Sequence, residues 1–188
     1  MVRAIHPDGF ILKAEAAGAE VKEFKSVEEA MAYVAGFAAQ ITSGRVVVSR
    51  DVIEHFKEAA GLSSLTPKDK DDWTKVEVSL VRADCGVAAT GTLVHFDRDD
   101  DERLAWTFPS ICLCLLPVSN IVPELDALAE TIRCHLGRGD LPSPQVSLVT
   151  GPSRTADIEG ELFLGVHGPG RLVILLVDGS MSPSDEKD

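Results

Sequence analysis

Basic residues are scarce in this chain. Across 188 residues, 18 Lys and Arg stand against 30 Asp and Glu, a formal net charge of -12. Such a field repels a polyanion, and nucleic-acid binding calls for a basic face, so no nucleic-acid partner is expected. Small anions remain admissible wherever local backbone N–H groups converge. Cysteines are also few: Cys85, Cys112, Cys114 and Cys134, with no CxxC pair. That spacing suits neither a zinc site nor an iron–sulfur cluster, and it offers no disulfide framework. No metal ligand set and no cofactor bound by this chain are expected. Apolar runs fall far short of the ~20 residues that a membrane span needs. The opening MVRAIHPDGF lacks the apolar stretch of a signal peptide. These absences together predict a soluble cytoplasmic protein without a membrane span. Aromatics are few, and Ala and Val dominate the apolar residues.

What is present suits one domain, because a chain of this length can bury roughly 70% of its unfolded surface. Residues 1–25 show no clear periodicity and read as a loose leader or peripheral strand. A single α/β domain is expected over residues 26–178, followed by a flexible acidic tail at 179–188. Ser26 to Glu29 forms a capping box, and Ala30, Met31, Val34, Phe37, Ala38 and Ile41 then recur at helical spacing. Val46–Val48 reads as a short buried strand, followed by a helix from about Val52 to Ala60. GLSSLTP reads as a turn, and KDKDDW as a solvated segment. Strands are predicted at 76–81, 92–96, 104–108, 111–116, 145–149 and 171–177. The acidic run Asp97 to Arg103 reads as a surface hairpin loop; it lacks the spacing and turn glycine of a calcium loop. Val122–Leu136 reads as a helix with Pro123 in its first turn. A short helix is predicted over 157–164.

Strands that alternate with helices and are apolar throughout predict a three-layer α/β fold. Its central sheet is mostly parallel, with helices on both faces and an antiparallel strand addition from the 76–116 run.

Two odd stretches stand near the C-terminus: TGPSRTADIE (Thr150 to Glu159) and GVHGPG (Gly165 to Gly170). Open α/β sheets bind ligands beyond the carboxyl ends of their strands, and the first stretch follows a strand. Gly151 permits close approach or a positive φ, and Pro152 fixes the turn. Ser153 and Thr155 can cap a helix or donate hydroxyls. The N–H groups of a helix start would cradle an anion, which Arg154 could also grip. Asp157 and Glu159 favour a helix N-terminus yet repel an anion. A structural turn and an anion site both remain open. His167, in a turn between Gly165 and Gly168, could act as acid, base or ligand, or be plain polar surface. Thr90-Gly91-Thr92 is a third candidate, either a strand-entry turn or a place where backbone meets ligand. No P-loop, HExxH, GxGxxG or nucleophile elbow occurs.

GPSRTADIEGELFLGVHGPGRLVILLVD (Gly151 to Asp178) closely resembles the C-terminal signature of the LUD domain family of lactate-utilisation proteins, the LutC/YkgG group. VRADCGVAATGTL (Val81 to Leu93) is similar to that family's second segment. The resemblance implies a fold like the NagB/RpiA/CoA-transferase group. It also implies a role in oxidising L-lactate to pyruvate, beside partner subunits that carry iron–sulfur clusters. A small anionic ligand is expected at the motif loops. Asp157, Glu159 and His167 would be the acid–base groups, and Gly151, Pro152, Ser153, Arg154, Thr155, Gly168, Thr90, Gly91 and Thr92 the binding residues. The family's Glu before Thr-Gly-Thr is Ala89 here, which removes a carboxylate that could act as nucleophile or base. The alternatives are a free-standing enzyme or binding protein for a phosphorylated or CoA-like molecule, and a purely structural or regulatory module.

Overall fold

A computed structural model describes residues 7–41, 45–55, 73, 75–141, 144–156 and 162–178. Five strands make an all-parallel sheet: β1 (Glu20–Phe24), β2 (Arg45–Val48), β3 (Val76–Arg82), β6 (Ile111–Pro117) and β11 (Arg171–Val177). Their order is β1-β11-β6-β3-β2. The two central apolar strands explain why a parallel sheet forms. On β6 and β11, Cys112, Cys114, Leu116, Leu172, Ile174 and Leu176 enter one core. The alternate residues Leu113, Leu115, Val173, Leu175 and Val177 enter the other. A strand buried on both faces reads as a continuous apolar run, which is the pattern in the sequence.

Helices cover both faces. α2 (Val27–Ala38) starts where the capping box predicts, with Ser26 Oγ accepting from Glu29 N. It brings Ala30, Met31 and Val34 onto the second core, joined by Val52 of α3 (Arg50–His55). The first core takes Phe10 and Ala14 of α1 (Asp8–Ala16) and Ala105 and Trp106 of α4 (Asp100–Thr107).

The antiparallel strands form a separate sheet rather than extending the parallel one. β4 (Cys85–Val87), β5 (Thr92–Asp97), β7 (Ile121–Val122) and β8 (Gln145–Val149) run in the order β7-β4-β5-β8. β4–β5 and β5–β8 are antiparallel, and β4–β7 is parallel. Leu93 and Ile121 carry this sheet into the first core. Its other face packs Val87 and Val94 against Leu128 and Ile132. Those two come from a 3-10 turn (Leu125–Leu128) and α5 (Ala129–Leu136).

Four expectations need correction. Asp100–Thr107 is a helix, not a hairpin tip followed by a strand. Asp99 caps it by accepting from Glu102 N at 3.0 Å, and the three acids of its first turn suit the helix dipole. The predicted helix over 122–136 begins as strand β7 and becomes α-helical only at Ala129, because Ile121 and Val122 pair with β4. Of the helix predicted at 157–164, Leu162–Leu164 is strand β10, antiparallel to β9 (Arg154–Ala156). Residues 8–24 hold α1 and the edge strand β1, so the peripheral-strand reading of this region holds and the helix was missed. The GLSSLTP and KDKDDW readings, most of 52–60 and the 179–188 tail lie outside the described residues, apart from Trp73. Among the described residues, no helix is long and apolar enough to cross a membrane.

α1 lies unusually close to the second sheet, and three glycines allow it. The Phe10 ring and the Leu116 side chain occupy the space that a Cβ on Gly86 would need. A Cβ on Gly91 would collide with the Ala14 backbone, and one on Gly151 with the Ala17 carbonyl. Gly91 and Gly151 also have φ of 68° and 74°, a region that L side chains rarely adopt. Gly91→Ala and Gly151→Ala are therefore each expected to destabilise the fold. The dihedral alone costs about 1–3 kcal/mol, and the collision adds to it. Urea unfolding checks this, with Gly36→Ala, at an open position inside α2, expected to cost nothing or to stabilise.

Candidate functional site

The structure joins the three predicted loops into one strip. Thr90 Oγ1 lies 2.6 Å from Thr92 Oγ1, which lies 2.7 Å from Thr150 Oγ1. The TGT turn and the TGPS turn thus meet through a chain of three hydroxyls. Three residues on, Ser153 clasps the GVHGPG loop. Its N–H donates to Pro169 O at 2.8 Å, its carbonyl accepts from Gly165 N at 3.0 Å, and its Oγ faces His167 N at 3.4 Å. The absence of a side chain at Gly168 lets that loop close on Ser153 Cβ. Thr90, Gly91, Thr92, Gly151, Pro152, Ser153, Gly168 and His167 are therefore brought together as a strip, though His167 itself points out, exposed.

The strip does not lie where the sequence suggested. Gly151 follows the carboxyl end of β8, but that strand belongs to the second sheet. Relative to the parallel sheet, the turns sit at the amino ends: Gly151 packs on Ala17 just before β1, and Gly170 leads into β11. No helix starts at Ser153; the chain enters β9 instead, so the anion cradle of helix N–H groups is not formed there. The Arg154 guanidinium lies over Gly18, at the C-terminal turn of α1. Asp157 and Glu159 lie outside the described residues, as does the side chain of Thr155.

The carboxyl ends of β2 and β3 carry something else, a buried ionic network. Asp51, in the first turn of α3, is 1% exposed. It accepts from Arg82 Nε at 2.5 Å and is also gripped by the Arg98 guanidinium. Arg82 Nη2 donates to Asp84 Oδ1 at 3.1 Å. The other oxygen of Asp84 accepts from Phe96 N at 2.8 Å and lies 3.0 Å from His95 Nδ1. His95 Nε2 faces Glu102 at 3.6 Å and Asp97 at 3.8 Å, while its ring lies 5.3 Å from that of Trp106. Asp97 accepts from Ser147 Oγ at 2.5 Å.

Burial alone would push the His95 imidazole down, but Asp84 above all, with Glu102 and Asp97, outweighs it and raises the pKa to about 9. His95 in turn, with the Phe96 N–H and Arg82 at Asp84 and with Arg98 at Glu102, holds those two carboxyls below the usual carboxylate range against the pull of burial. Arg82 and Arg98 do the same for Asp51, whereas burial wins at Asp97 and raises it. His95 is therefore an imidazolium at neutral pH. The network pins β2–α3, β3, β5 and α4 together, and leaving one member unpaired in such a setting costs about 3–5 kcal/mol. Among the described residues, no three His, Cys, Asp or Glu side chains converge as a metal site requires.

A family-level comparison matches residues 8–177 to the LUD domain. The chain belongs to the LUD domain family. Curated relatives agree. A protein named Lactate utilization protein C from Bacillus licheniformis is 29% identical over 159 residues, covering 75% of this chain and 65% of that one. The namesake from Bacillus subtilis is 29% identical over 157 residues, covering 73% and 64%. An uncharacterized protein of Neisseria meningitidis is 34% identical over 124 residues, covering 63% and 52%. The LUD chain thus spans less than two thirds of the length of these relatives. A crystal structure of a DUF162 family protein from Deinococcus radiodurans superposes with a TM-score of 0.66 at 18% identity. It covers 92% of this chain and 99% of that one, and so supports the fold.

In this LUD domain the signature segments serve two ends. Gly86, Gly91 and Gly151 admit α1, and Ser153 closes a loop, whereas the threonine hydroxyls border open space. The ionic network escaped the sequence reading because its members run from Asp51 to Glu102, far apart along the chain. The nearest signal was Arg82-Ala83-Asp84 at a strand end, with a histidine inside an apolar strand at 95. Because His95 is raised when folded, its contribution is fully present below pH 6.5 and is lost as pH climbs to about 9. A rise of that size corresponds to about 3 kcal/mol. The LUD domain is expected to lose stability across that window in pH-dependent urea unfolding, and a His95→Gln variant to show a flatter slope there.

Proposed function

We propose that this chain is a non-redox component of L-lactate utilisation, acting in the oxidation of lactate to pyruvate beside partner subunits that hold iron–sulfur clusters. The observation that carries the reading is the LUD match over residues 8–177, together with relatives named Lactate utilization protein C at 29% identity. The thiol chemistry fits that division of labour. Cluster ligation needs thiolates, and burial pushes the Cys112 thiol up to about 12, Cys85 up to about 11 and Cys114 well above the usual thiol range. Electrons would then travel through partners.

A small anionic ligand would be met at the clasped loops. His167 is exposed on that loop and Arg154, next to Ser153 in the chain, is exposed with its guanidinium over Gly18; among the described residues neither is taken up by an ion pair. Glutamyl acyl transfer of the CoA-transferase kind is not part of the reading, since position 89 is alanine. Clean removal of the gene from its host is expected to slow growth on L-lactate at least several-fold and leave growth on glucose unchanged. A plasmid copy carrying Arg154→Ala, shown to be folded by its thermal midpoint, is expected to restore lactate growth only in part. Undiminished growth on lactate without the gene would overturn the proposal.

A further inference from the structure

At the threonine end of the strip, the three hydroxyls border an open cleft of about 330 Å3 that His167 does not line. That falls at the lower end of small-molecule sites and has room for roughly ten non-hydrogen atoms, at about 30 Å3 of liquid volume each. Its walls are of three kinds. The first is hydroxyl: Thr90 and Thr150 are exposed at the two ends of the chain, with Thr92 buried between them. Two contacts among three hydroxyls consume two of the three protons, and both end oxygens keep lone pairs that can accept from a ligand.

The second wall is apolar. Leu125 and Leu148 are 41% and 51% exposed, large side chains left open to water at the cleft. The third is acidic. Ala88 N and Ala89 N donate to Val122 O and Pro123 O, which draws the chain after β7 alongside Ala89. Glu124 and Asp126 follow at once and both line the cleft. Among the described residues no ion pair or side-chain hydrogen bond holds either carboxylate, and no Lys, Arg or His lines the space. An alanine at 89 leaves the room that a longer side chain would fill.

An anion entering this cleft would meet two carboxylates and no cation, in a chain whose net charge is already -12. We propose that the cleft binds a small organic cation, an ammonium on a short aliphatic body. The ammonium sits between Glu124 and Asp126, the carbon chain lies against Leu125 and Leu148, and the threonine chain meets a hydroxyl or carbonyl at the far end. This site is separate from the clasped loop assigned to an anion, and it does not depend on the lactate role.

The test is a titration of the 15N-labelled full chain with n-butylammonium chloride, sodium butyrate and n-butanol at matched ionic strength, followed by amide chemical shifts. Saturable shifts at residues 89–92, 124–126 and 148–150 are expected with n-butylammonium, at least five-fold tighter than with n-butanol, and none with butyrate. The Glu124→Gln/Asp126→Asn double variant, whose substitutions are at exposed positions and should leave the thermal midpoint unchanged, is expected to weaken n-butylammonium at least ten-fold. Leu148→Trp, which fills the cleft, should abolish the shifts. Butyrate binding as tightly as n-butylammonium, the absence of saturable shifts with any probe, or an unchanged affinity in the double variant would each overturn the proposal.

Discussion

The close approach of one short helix to three glycines organises this molecule. α1 sets its Phe10 ring on Gly86, its Ala14 backbone on Gly91 and its Ala17 carbonyl on Gly151. At Gly91 and Gly151 an added Cβ would strike backbone, at a positive φ that L side chains rarely adopt, and at Gly86 it would displace the Leu116 and Phe10 side chains. Gly86 and Gly91 belong to one sequence signature and Gly151 to the other, so the helix ties together segments sixty residues apart. Once it is seated, Thr92 and Thr150 come within hydrogen-bond reach and the cleft beside them is defined. The helix ends just as it must for this to work. Gly18 takes a φ of 94°, and Ala19 N bonds back to Ala14 O, so the chain turns straight into β1.

Electrostatics supplies the second tie. A chain with so large an acidic excess places three of its few bases, Arg82, His95 and Arg98, among four carboxylates, Asp51, Asp84, Asp97 and Glu102, at the carboxyl ends of β2 and β3. There they join the parallel sheet to β5 of the second sheet and to α4. That end of an α/β sheet is the usual ligand position, yet here it is filled and internally paired. Beside the second sheet, by contrast, a cleft stays open.

Much of the fold was legible in the sequence because its signals were local. β6 and β11 are continuous apolar runs, and Ser26 with Glu29 announces α2. The failures share a different cause. Asp99 with Glu102 is also a capping pair, but an acidic run resembles a loop tip, and the buried face of α4 rests on only Ala105 and Trp106. The segment after Ser153 carries helix-start residues, yet pairing with Leu162–Leu164 overrides local preference. α1 has a weak apolar stripe, with Phe10 and Ala14 alone fully buried, and its docking partners lie far along the chain. At the candidate site, the pairing of the TGPS and GVHGPG segments was expected from the family resemblance, whereas the TGT turn stood as a separate candidate and joins them only through Thr92 and Thr150. Glu124 and Asp126 could not be read, because only the β4–β7 pairing brings them beside Ala89.

In this structure α1 holds the signature turns in place. Amide hydrogen exchange on a Phe10→Leu variant tests it most directly, because the substitution loosens the helix while keeping an apolar core. Faster exchange is expected at residues 86–92, 150–153 and 165–169, with the amides of β6 and β11 protected as before. Unchanged protection in those turns, in a variant whose α1 amides exchange faster, would contradict it.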